Sequence, residues 1–138
     1  ATGAFTGSLS YSSPEVLNGR PPTRQSDIYG LAAALFSIIA GRAAFERREG
    51  EEIIAQFLRI TGQSIPDLRG HGVPDELCAV LERAMAKDPA DRPPSAEAFG
   101  RELQGVQRDA GLPVAEMALP VGRRTADKNA TDATETRT

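Results

Sequence analysis

Between Ile28 and Ala40 the chain is apolar at Ile28, Leu31, Ala32, Ala33, Ala34, Leu35, Phe36, Ile38 and Ile39. These positions cover every face of a helix rather than one stripe, so a helix buried all round is expected. Ser26 or Asp27 can cap its first turn, where a side-chain oxygen accepts an amide hydrogen that has no helical partner, and Gly41 suits a left-handed stop. A second helix is expected from about Gly50 to Ile60. Glu51 and Glu52 stand at the positive end of its dipole, and Ile53, Ile54, Phe57 and Leu58 make one apolar face. A third starts near Pro74, a residue suited to the first turn, and runs to about Lys87 with Leu77, Leu81, Ala84 and Met85 on one side. Pro89 stops it. A fourth follows Ser95, buries Phe99, Leu103 and Val106, and ends near Gly111. No apolar–polar alternation lasts long enough for a strand, so the expected class is all-α.

The flanks have a different texture. Residues 1–25 are rich in Gly, Ser, Thr and Pro, and read as an extended loop with one short helical turn around Glu15–Leu17. No large apolar residue follows Val121. A segment of that kind cannot bury enough surface to offset its ordering entropy, and a disordered tail is expected. The chain thus divides into a loop at 1–25, a helical portion at 26–111, and a linker and tail at 112–138.

Composition narrows the chemistry. With 138 residues, 40% hydrophobic and 25% charged, the chain can hold one ordinary core. A net charge of −3 gives no basic footprint for nucleic acid or anionic lipid. Cys78 is the single cysteine and falls on a helical apolar stripe, where it reads as packing. His71, between two glycines, reads as a turn residue, and no metal site is expected. The longest apolar run is well short of the roughly 20 residues that cross a bilayer, and no signal-peptide pattern opens the chain, so the expected compartment is the cytoplasm.

Three ordered blocks carry a resemblance: Gly7-Ser8-x-x-Tyr11-x-Ser13-Pro14-Glu15, then Ser26-Asp27-Ile28-Tyr29-Gly30-Leu31, then Asp88-Pro89-Ala90-Asp91-Arg92-Pro93. In this order they resemble the later part of the large lobe of bacterial-type serine/threonine protein kinases, over about residues 4–106. The resemblance implies the C-terminal helical subdomain of the kinase fold, with about four helices after the end of an activation segment. It implies that Gly7 and Ser8 position the substrate, and that Glu15 forms a structural ion pair with Arg92. Asp27 would anchor the start of the apolar helix and, in the family, accepts hydrogen bonds from the catalytic loop. Thr2 and Thr6 fall in the phosphorylated loop, with Thr2 at the commoner position. Ser13, Tyr29 and Ala32 depart from the family's usual Ala, Trp and Gly.

The same resemblance sets out what phosphoryl transfer needs. A kinase uses a glycine-rich loop, a strand lysine, an H-R-D aspartate and a D-F-G aspartate on magnesium, and none of the four is found in this sequence. No catalytic residue is therefore assigned. The chain reads as a fragment of a kinase whose intact form takes ATP, magnesium and a protein substrate. The alternative is a non-catalytic helical remnant that binds a protein partner. In either case the apolar helix, if left uncovered, would favour self-association.

Overall fold

The computed structural model of the chain describes residues 9–119, and every regular element among them is helical, as the all-α expectation requires. Five α-helices follow in order: α1 (Pro14–Leu17), α2 (Arg24–Ala40), α3 (Ile53–Gly62), α4 (Asp75–Ala84) and α5 (Ala96–Asp109). A short 3-10 turn at Leu9–Tyr11 precedes α1, and two others, at Arg69–His71 and Pro89–Asp91, lie on either side of α4. Thr2, Thr6, Gly7, Ser8 and most of the expected tail lie outside the described residues.

α2 is the central element, and it begins earlier than its apolar pattern suggests. Its cap is Thr23, not Ser26 or Asp27. Thr23 Oγ1 accepts the Ser26 amide at 3.4 Å, and Ser26 Oγ in turn receives the Thr23 amide, so two unpaired donors are satisfied reciprocally. Gly41, at φ 77°, ends the helix with its amide on the Ser37 carbonyl. The buried side is one stripe: Ile28, Tyr29, Ala32, Ala33 and Phe36. The α4 and α5 helices and the Leu9–Tyr11 turn pack against α2. Burial on all sides is not what the described residues give, because Leu31 is 54% and Ile38 78% exposed. An apolar residue is buried only where a neighbour covers it, and none of the described elements covers that flank.

The expected apolar face of α3 is also corrected. Ile53, Ile54 and Leu58 are exposed, while Gln56 and Ile60 are buried. The reason is Gln56, whose side-chain amide donates to the Phe45 carbonyl at 3.0 Å and lies 3.3 Å from Ser10 Oγ. A buried amide is tolerated when it is hydrogen-bonded, and these bonds set the rotation of α3 about its own axis. They also tie the Leu9–Tyr11 turn to the rest of the core. Glu51 does not serve the helix dipole alone: it pairs with Arg59 at 2.8 Å, with both side chains largely buried.

Pro74 precedes α4 rather than opening it, and α4 stops at Ala84, before the expected Lys87. Met85 leaves the helical conformation there and turns its side chain into the core. Cys78, Leu81 and Ala84 are buried, and His71 lies in an exposed turn closed by Gly72 at φ 80°. Ser95 Oγ caps α5 by accepting the Ala98 amide at 3.0 Å, and Gly111, at φ 70°, follows its end.

Candidate functional site

Among the described residues, Arg92 has a side chain with every donor engaged. It sits between the Pro89–Asp91 turn and α5, where Pro93 and Ser95 keep the backbone extended until the helix can start. Its guanidinium is fully buried, and all five of its N–H groups have acceptors. Nη1 donates to Glu15 Oε2 at 2.7 Å and to the Gln25 carbonyl at 3.1 Å. Nη2 donates to Glu15 Oε1 at 2.9 Å and to the Lys87 carbonyl at 3.4 Å, while Nε reaches the Ala86 carbonyl at 2.8 Å. The structure therefore brings Glu15 and Arg92 together as a bidentate pair across 77 positions of sequence. Such a fork-to-fork arrangement fixes direction as well as distance. It links α1, the start of α2 and the α4–α5 connection at one point.

The surroundings explain why the pair is charged. Burial pushes the Glu15 carboxyl up, but the hydrogen bonds and charge of Arg92 outweigh it and hold the group below its ordinary value of 4.5. The Tyr29 ring lies 5.0 Å from the Arg92 guanidinium carbon. Burial raises the Tyr29 phenol to about 12, against the opposing effect of Arg92. Its hydroxyl is buried without a hydrogen-bond partner. Lys87 Nζ donates to the Ile60 carbonyl at 2.6 Å and stands 4.3 Å from the centre of the Phe45 ring. Burial first, and then the Arg92 charge, push Lys87 down to about 8.

These shifts predict the pH profile of stability, in which Lys87, lowered from 10.5 to about 8, makes stability rise with pH between those values, because there the unfolded chain binds the extra proton. The folded-state values of Glu15 and Glu51 are lowered from 4.5, Glu51 to about 2 by its Arg59 hydrogen bonds. The unfolded chain therefore binds more protons in acid. Their contribution is present above pH 4.5 and is lost as pH falls towards 2. For Tyr29 the folded value is raised above 10, so its contribution is present below pH 10 and lost as pH rises towards 12. Thermal melts across pH should show both limbs, and Tyr29→Phe should remove part of the alkaline one. An unchanged alkaline limb in that variant would exclude Tyr29 as a cause.

Asp27 lies in the first turn of α2, and its side chain is exposed. It is not brought to the Glu15–Arg92 pair. Ser13 is buried beside Pro14 at the start of α1. Among the described residues, no group of three or more His, Cys, Asp or Glu side chains could hold a metal ion. No helix among them is long and apolar enough to cross a membrane. Sequence reasoning missed Gln25, Ala86 and Lys87 as partners of Arg92, since each contributes a backbone carbonyl. It missed the bridging role of Gln56 as well; the only signal was a polar residue amid an apolar helix.

The family described as "Protein kinase domain" matches residues 2–103. The chain is 56% identical over 121 residues to "Serine/threonine-protein kinase PknK" of Mycobacterium bovis and of Mycobacterium tuberculosis, which covers 88% of the chain and 11% of each relative. It is 37% identical over 111 residues to "Serine/threonine-protein kinase PkaA" of Streptomyces coelicolor, covering 80% of the chain and 19% of that protein. The chain thus spans about a tenth to a fifth of the length of these relatives. A family match that runs over residues 2–103 of the 138 establishes that the chain belongs to the protein kinase domain family.

Proposed function

We propose that this chain is the C-terminal helical portion of the large lobe of a bacterial serine/threonine protein kinase, whose intact form transfers the ATP γ-phosphate to Ser or Thr of proteins. The Glu15–Arg92 pair carries the proposal, because it holds the end of the activation segment on the helical core. Gly7 and Ser8 would then meet the substrate, with Thr2 and then Thr6 as phosphate acceptors. Asp27, exposed at the start of α2, is available to organise a catalytic loop. The division into an activation-segment end at 1–25, a helical portion at 26–111 and a linker with tail at 112–138 belongs to the same proposal. The open flank of α2 is the surface that the remainder of the lobe, or a second copy of the isolated chain, would cover.

The described residues do not fit ATP and magnesium. They carry no glycine-rich phosphate loop and no cluster of carboxylates able to hold the ion. Two measurements test the proposal. Calorimetric titration of the chain with ATP–magnesium should give no binding heat, and stoichiometric micromolar binding would overturn it. In the intact parent polypeptide, Arg92→Ala should lower kcat/KM by at least about tenfold, since a displaced positioning segment costs catalysis at a distance. Full activity in a folded Arg92→Ala parent would mean that the pair does not support the reaction.

A further inference from the structure

Beyond Gly111 the chain turns back along α5 without regular structure. The Leu112 amide donates to the Gln107 carbonyl at 2.8 Å, which starts the return. Gln104 Nε2 then donates to the Ala115 carbonyl at 2.9 Å, and Gln107 Oε1 accepts the Ala115 amide at 3.0 Å. Two glutamines three positions apart share a helix face. Together they satisfy both backbone groups of a single residue, as an adjacent strand would. One turn earlier on that face stands Gly100, and the tip of Met117 occupies the space a side chain would fill. A Cβ built on Gly100 would lie 2.9 Å from Met117 Cε. Glycine inside a helix is otherwise unfavourable, and the approach of Met117 gives it a reason. Beside this line is a groove of about 460 Å³, walled by apolar groups of the helices, including Leu35, Ile39, Leu77 and Leu103, and on its other side by the returning segment at Leu112 and Met117.

We propose that Gly100, Gln104 and Gln107 form a docking track for an extended peptide segment, and that residues 112–119 are its in-cis occupant, a strap that walls one side of the apolar groove beside α2, α4 and α5. The track reads the occupant's backbone at one residue and takes an unbranched apolar side chain two residues later. Ala115 and Met117 meet both requirements. Only the turn at Gly111 and three residues separate the end of the α5 region from Ala115, so the tether keeps the strap at high effective concentration.

Amide hydrogen exchange on the full chain tests this. The Ala115 amide should be protected by about tenfold over an unstructured peptide, as expected for a locally closed segment. Gln107→Ala should abolish that protection, because it removes the acceptor of the Ala115 amide. Gly100→Ala should lower protection at Ala115 while the α5 amides keep or raise theirs, because alanine favours the helix while displacing Met117. A general loss of structure would lower both together. Arg108→Ala, one position from the track and exposed, should change nothing. Exchange at the unprotected rate in the parent chain would overturn the proposal, and so would protection that survives Gln107→Ala. Protection that falls on dilution would show that a second copy supplies the segment, and would overturn the in-cis assignment.

Discussion

Arg92→Ala and Glu15→Ala should each destabilise the chain by about 3–5 kcal/mol, and the double variant should cost far less than their sum. The expectation rests on stranding. Without Arg92 the Glu15 carboxylate loses its counter-charge and both bonds of the fork, and the carbonyls of Gln25, Ala86 and Lys87 lose a donor. Without Glu15, a guanidinium whose side chain has 0% exposure keeps its charge with no counter-charge. Removing one partner of a buried pair typically costs about 3–5 kcal/mol, a large share of the 5–15 kcal/mol that holds a domain together. Arg92→Lys should rescue little, since a single ammonium cannot reproduce the planar fork and also reach carbonyls on two separate segments. Denaturant melts of the four-member cycle measure the coupling, and additive losses would mean that the two residues do not act as a unit.

The second large effect concerns the open flank of α2. Leu31 and Ile38 stand two turns apart on one face and are 54% and 78% exposed. Covering even a few hundred Å² of such surface is worth several kcal/mol at about 25 cal/mol per Å². The isolated chain should therefore bind hydrophobic dyes and associate as concentration rises. Leu31→Lys with Ile38→Lys should return it to a monomer with little dye fluorescence. Ile54→Lys, on the exposed side of α3, should leave association unchanged. A monomeric elution profile at high concentration, a cooperative melt and no dye binding in the parent chain would overturn this expectation.

What the sequence made legible and what it did not divide along a physical line. Gly41, Ser95 and Gly111 mark helix ends because a positive φ or a capping oxygen is a local requirement, met by few residue types. The faces of α2 and α3 were misjudged because burial depends on what packs there. Ile54 and Leu58 follow an apolar helical spacing, yet the buried Gln56 turns them outward. Thr23 was overlooked as a cap because the apolar run begins five residues further on, although Thr23 and Ser26 have capping-box spacing. The juxtaposition of Glu15 and Arg92 has no local signature at all. It could be read only from the order of motifs shared with a family, and its backbone acceptors could not be read even then.

The 77-residue span between Glu15 and Arg92 also bears on the order in which the chain acquires its structure. Closing so long a loop costs chain entropy before any bond rewards it. The helices form from neighbours in sequence, and α4 and α5 meet through a short connection. Contacts of that kind form early, whereas the fork between residues 15 and 92 needs both ends of the core already in place. Losing the pair should then accelerate unfolding while leaving the folding rate nearly unchanged. Arg92 thus governs how long the folded state lasts rather than how quickly it is reached.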